Sequence, residues 1–309
     1  MRSRPTRLFR TAVALAIAAV SASCARSISP AATGEHVHPE EGRAGMAPAG
    51  PAAVPTTQGT ALPAGAADVA QRLASSPRHA EWVMIRTGND SVRAWVVYPE
   101  RRERAPVVVV IHEVFGLTSW IRGVADQLAA DGFIAIAPDL LTGKTTIHPD
   151  SAASDAREQI RRLNPDDVHR QLAAVGQYGM RLPAALPRYG VVGFCWGGSV
   201  SFQHAVRSPA GLGAAVVYYG SSPENLGTLA SIRVPVLGLY GSDDVRVNPT
   251  VPPADSAMRA LGKSFAHHTY EGAGHGFLRA QDGKSGANLA ATRQAWPATL
   301  AFFRRHLGS

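Results

Sequence analysis

This chain of 309 residues contains only two cysteines, Cys24 and Cys195. One lies at the end of an N-terminal leader and the other far inside the chain. No disulfide framework can therefore staple the folded part, and Cys195 is expected as a free thiol. No acidic residue precedes Glu35, whereas Arg2, Arg4, Arg7 and Arg10 do. The formal net charge of +8 falls to +4 without those four arginines. The remaining Lys and Arg are scattered, with no long basic run and no interleaved aromatics, which argues against a nucleic-acid partner. Internal repeats are missing too, and nothing marks a second domain.

What is there begins with residues 1–25, which read as an export signal. A basic stretch to Arg10 leads into the apolar run 11–20, too short to span a bilayer, and then into small residues. No twin arginine precedes the run, so the general secretory route is expected, to the periplasm or outside the cell. Val20-Ser21-Ala22 offers a cleavage site of small residues. The alternative is a lipoprotein box ending at Cys24, whose lipid would then be the only membrane attachment. Residues 26–77 are rich in Ala, Pro, Gly and Ser and have few large apolar residues, so a disordered tether is expected there. His36 and His38 within it read as solvent-exposed bystanders, and no metal site is predicted.

From Arg78 the pattern changes. Two alternating runs, 82–86 and 92–98, flank the turn Gly88-Asn89-Asp90 and read as strands. The continuous apolar run Pro106 to His112 is the mark of a strand buried on both faces of a parallel sheet. Helices are predicted over 118–130, 151–163, 168–180, 199–207, 253–261 and 287–307, the last kinked at Pro297. Strands are predicted over 133–139, 189–193, 213–219, 234–240 and 265–270. Strands alternating with helices of these lengths imply one α/β domain, 78–309, built on a doubly wound, mostly parallel sheet.

The stretch Val191-Val192-Gly193-Phe194-Cys195-Trp196-Gly197-Gly198 organises that domain. It has the G-x-nucleophile-x-G pattern of a sharp strand-to-helix turn, with Cys where Ser is usual. Glycines are needed because side chains at the flanking positions would collide, and the helix N-terminus behind the thiol favours negative charge. A nucleophilic thiol needs a base, and the base needs an orienting acid. Gly241-Ser242-Asp243-Asp244 places acids just past one strand, and Gly274-His275-Gly276 places a histidine just past the last. Loops at the carboxyl ends of strands face one crevice. Asp244 is preferred as the acid, with Asp243 the alternative. The loop His112-Glu113-Val114-Phe115-Gly116 follows an earlier strand. There the Val114 N–H, with that of Trp196, is predicted to form an oxyanion hole. Glu113 is expected beside Cys195, holding the thiol's proton until substrate displaces it. The order nucleophile, acid, histidine is that of the α/β-hydrolase fold.

With these motifs and Ala137-Pro138-Asp139-Leu140, residues 80–307 resemble the dienelactone hydrolase (carboxymethylenebutenolidase) family. The resemblance implies a Cys195-Asp244-His275 triad with Glu113 as resting-state partner. It also implies hydrolysis of a lactone or ester through a thioester, best matched to a dienelactone-type enol lactone, without metal or cofactor. The family holds a substrate carboxylate with arginines. Arg279, four residues past His275, occupies one such position, and Arg157 is the match for the other. One turn beyond Arg157, where the family pattern has tyrosine, stands Arg161. The expected partner is a small-molecule ester or lactone, and the protein is expected to be a monomer. The competing expectations are a broad carboxylesterase and a non-catalytic, envelope-anchored binding module on the same fold.

Overall fold

The structure is a computed structural model, and it describes residues 61–144 and 153–308. The expected export signal, Cys24, the histidines His36 and His38 and the tether up to residue 60 lie outside the described residues. So does the predicted start of a helix at residues 151–152.

Eight strands form one sheet in the order β1-β2-β4-β3-β5-β6-β7-β8. They are β1 (Ala80–Thr87), β2 (Asp90–Val97), β3 (Ala105–Ile111), β4 (Ile134–Asp139), β5 (Ala185–Phe194), β6 (Leu212–Tyr218), β7 (Val236–Gly241) and β8 (Phe265–Tyr270). β1 and β2 pair antiparallel, and β2 meets β4 antiparallel. From β4 through β8 every pairing is parallel. The helices are α1 (Val69–Ala74), α2 (Ser119–Ala130), α3 (Ala153–Arg161), α4 (Pro165–Met180), α5 (Trp196–Arg207), α6 (Val251–Ala260) and α7 (Ala287–Leu307).

Successive side chains of a strand point to opposite faces, so an all-apolar strand must be covered twice. β3 is buried at all seven positions. Its Val108 and Val110 join the core formed with Trp120 and Leu128 of α2 and Trp296 and Phe303 of α7. Val107, Val109 and Ile111 face the other core, with Leu172 and Val175 of α4, Phe202 of α5 and Met258 of α6. The sheet is thus sandwiched, as the apolar runs predict.

Register brings the carboxyl ends of the parallel strands level. Ile111 pairs with Gly193, Phe194 with Tyr218, and Gly241 with Tyr270. Every loop singled out for chemistry therefore leaves the same edge of the sheet.

Two expectations are corrected. α4 starts three residues earlier than predicted, because the Asn164 side chain accepts from the Asp166 N–H and Pro165 opens the helix. Order also begins before Arg78, in what was expected to be tether. Val69 of α1 packs on Gly123 of α2 so closely that a Cβ there would lie 2.2 Å from its methyl. Ser76 and Arg78 both bind the carboxylate of Asp126 on α2. α7 runs through Pro297 as one helix.

This early segment also reaches the far end of the domain. The Ala66 N–H donates to the Arg279 carbonyl (2.9 Å), and Gln281 Nε2 donates to the Pro63 carbonyl (2.8 Å). Burying Val69 contributes about 2 kcal/mol, so a chain beginning at Arg78 is expected to melt roughly 5 °C or more below one beginning at Ala61. Equal melting temperatures would show that α1 adds nothing to the domain.

Candidate active site

Cys195 follows β5 directly and caps α5, with φ 56° and ψ −117°. That conformation costs a non-glycine residue on the order of 1–3 kcal/mol and persists only where the surroundings over-determine it. They do so here by close backbone contact. A Cβ on Gly193 would lie 1.8 Å from the Gly197 carbonyl oxygen, and one on Gly197 would lie 2.4 Å from that of His112. The Cys195 N–H donates to the Tyr218 carbonyl (3.1 Å), while its own carbonyl accepts from Gly198 and Ser199. The thiol is thereby held half-buried at the positive end of a twelve-residue helix.

His275 comes from the loop after β8. Its Nδ1 lies 2.5 Å from Asp244 Oδ2, and its ring is close enough to Cys195 for the two to interact electrostatically. Asp243, the alternative acid, instead meets Lys284 at 2.9 Å on the surface. The β7 and β8 loops are stitched together. The Asp243 N–H donates to the Ala273 carbonyl, and the Gly272 N–H to Ser242 Oγ. Asn288 of α7 accepts from the Gly274 N–H (3.0 Å). Burial pushes the His275 imidazole down, but the Asp244 hydrogen bond and the nearby Cys195 outweigh it, lifting it to about 9. Asp244 is itself 4% exposed. Burial pushes its carboxyl up, and the hydrogen bond and charge of His275 hold it below the usual range. Asp244 thus stabilises the imidazolium that forms when His275 accepts a proton.

Glu113 departs from expectation. It is 3% exposed, and its Oε2 lies 3.3 Å from Arg279 Nε, without the alignment of a hydrogen bond. The reason is electrostatic: a buried carboxylate settles against the nearest fixed positive charge. Burial lifts the Glu113 carboxyl to about 7, against the pull of Arg279 and His275.

The two arginines expected to hold a carboxylate are brought together. The guanidinium carbons of Arg157 and Arg279 each lie 4.8 Å from the centroid of the Phe115 ring. Arg157 lines a cavity of about 760 Å³ with Val114, Cys195 and Trp196, a size suited to a small molecule. Arg279 is not among its lining residues.

Two residues of this site were not singled out in the sequence. His112 is fully buried. Its Nδ1 lies 2.8 Å from the Glu113 carbonyl, and its Nε2 accepts from the Leu140 N–H. Stacked on Trp196, it ties the Glu113 loop to the turn carrying Cys195. Tyr219 has φ 40°, stands edge-on to His275 and lines the cavity, and its buried hydroxyl has no hydrogen-bond partner among the described residues. Only its place just past a strand marks it in the sequence.

The sequence profile of the dienelactone hydrolase family matches residues 92–307. The chain belongs to the dienelactone hydrolase family. It is 30% identical over 268 residues to a candidate carboxymethylenebutenolidase of Salmonella typhimurium, covering 81% of this chain and 98% of the relative. A Saccharolobus solfataricus protein of the same description is 27% identical, covering 69% and 94%. Among solved structures, a dienelactone hydrolase-like promiscuous phosphotriesterase from metagenomic libraries superposes with a TM-score of 0.65 at 25% identity, over 75% of this chain and 99% of its own. A dienelactone hydrolase of Anabaena variabilis shares the fold, with a TM-score of 0.57 at 19% identity, over 74% of this chain and 99% of its own. Family membership and fold make this protein an α/β-hydrolase acting on lactones or esters.

The Glu113 shift has a sign that can be tested. Its carboxyl binds a proton more tightly folded than unfolded, because its value rises from 4.5 to about 7. Its ionisation therefore costs stability as pH rises through that window. Glu113→Gln is expected to flatten the fall in melting temperature between pH 5 and 8 relative to wild type. Parallel curves would mean that the buried carboxyl does not titrate there.

Proposed function

We propose that this dienelactone hydrolase-family protein cleaves a carboxylic ester or lactone through a thioester on Cys195. The observation that carries the reading is the Asp244–His275 hydrogen bond beside Cys195, which sits on a strained turn and lines a cavity. His275 takes the proton of the thiol, and the sulfur attacks the substrate carbonyl carbon. The negative charge on oxygen is received by the backbone N–H groups of Val114 and Trp196, each such donor contributing about 3–4 kcal/mol. Trp196 opens α5, where the first N–H groups have no acceptor within the helix. As the carbon–oxygen bond breaks, His275 returns its proton to the leaving oxygen. In a lactone that oxygen stays tethered to the acyl group. Water, deprotonated by His275, then cleaves the thioester to release acid and restore the thiol.

Arg157 and Arg279, drawn to one aromatic ring, are the anchors for a carboxylate on the substrate, and this favours an acid-bearing enol lactone over a neutral ester. Glu113 offsets the charge of Arg279 until that carboxylate arrives. An incoming anion competes for the guanidinium and frees Glu113, already near its point of protonation, to face the thiol. The leader pattern at residues 1–25 supports export of this activity, and no described helix is long and apolar enough to cross a membrane.

Initial rates with a carboxylate-bearing enol lactone and a neutral aryl ester test the reading. Wild type is expected to prefer the lactone, and Cys195→Ala to lose turnover of both while melting normally. Arg279→Ala should cost the lactone at least about tenfold more than the ester. Equal losses would remove the carboxylate anchor, and turnover of the ester alone would make the protein a carboxylesterase. Turnover of neither would favour a binding module.

A further inference from the structure

The cavity beside Cys195 is lined by three arginines, Arg157, Arg161 and Arg246, and among the described residues by no acidic side chain. Arg157 and Arg161 sit one turn apart on α3, where like charges weaken a helix. The neighbouring surface follows the opposite rule. Arg162 pairs with Glu158 on the same helix, Arg170 with Asp167 and Arg207 with Asp166. The exposed arginines of this neighbouring surface are thus matched by acids, whereas Arg161 and Arg246, exposed at the cavity, are not. Arg279 has Glu113 to offset it. Arg161 and Arg246 have no ion-pair partner among the described residues, and Arg246 reaches only far enough to act on Asp244 through space.

One carboxylate does not use this much charge. Arg157 and Arg279 share the Phe115 ring and suffice to hold a single anion. Arg161 and Arg246 come from different elements, α3 and the loop after β7, yet open on the same space as the thiol. We infer that Arg161 and Arg246 form a second anion subsite, so that the preferred substrate is a dianion with a carboxylate on either side of the scissile carbonyl. The inference rests on the hydrolase reading for the word substrate, but the subsite itself requires only that the cavity bind a dicarboxylate.

Protection of Cys195 from iodoacetamide tests it without turnover. The probes are straight-chain dicarboxylates from succinate to suberate, each compared with the monocarboxylate of equal length. At least one dicarboxylate is expected to protect at about tenfold lower concentration than its monocarboxylate, the size of one charge-assisted contact. Arg161→Gln and Arg246→Gln should each erase most of that advantage, while Arg161→Lys keeps a large part of it. Arg161 touches neither Asp244 nor His275, so its variants separate anion binding from damage to the catalytic groups. Melting temperatures close to wild type confirm that each variant is folded. Equal protection by dicarboxylates and monocarboxylates, or an advantage that survives in Arg161→Gln, would overturn the subsite. Loss of ester turnover in the wild type would instead strike the hydrolase reading and leave this result standing.

Discussion

Everything at this site depends on how closely β5 and α5 approach at the turn between them. The Gly193 and Gly197 backbones leave no room for a Cβ on either residue. This contact fixes Cys195 in a conformation that few non-glycine residues adopt. The sulfur is thus lifted off the sheet and set at a helix N-terminus. Because β3, β6, β7 and β8 end level with β5, the loops bearing Glu113, Tyr219, Asp244 and His275 need no long excursion to reach it. The strain at one residue is supported by two apolar cores, one on each face of the sheet.

Each of the two buried carboxylates near the thiol has a partner of opposite sign: Asp244 with His275, and Glu113 with Arg279. Breaking such a pair strands a charge in a poorly solvated place, which commonly costs about 3–5 kcal/mol. The cavity wall is different, with three guanidinium groups and no acid among the described residues. An anionic ligand would offset the positive charge there. The segment before β1 adds a mechanical constraint. By binding the Arg279 carbonyl and Gln281 it ties the start of the domain to the loop that carries His275 and Arg279.

Much of this was legible in the sequence because the signals were local. The seven-residue apolar β3 announces a strand covered on both faces, and the glycines around Cys195 announce the turn. Two adjacent acids past β7 are visible in the sequence, and the structure places Asp244 against His275 and Asp243 against Lys284. The rest was not legible because it depends on distant partners. A short Val69–Ala74 helix in an Ala-rich stretch looks like tether until Gly123 is seen beneath it. Glu113 was expected on the thiol, but the nearness of Arg279, 166 positions along the chain, decides its partner. Arg161 stands out in the sequence only as a departure from the family's tyrosine, Arg246 not at all, and only the cavity puts them together.

The central claim is that the Cys195 sulfur carries the acyl group during turnover. It is tested most directly by quenching the enzyme in acid during hydrolysis of an aryl ester with a slowly released acyl group, then digesting it and measuring peptide masses. The account predicts one acyl adduct, on the peptide containing Cys195, that decays as product appears. Full turnover with no adduct on that peptide, or with the adduct on another residue, would contradict it.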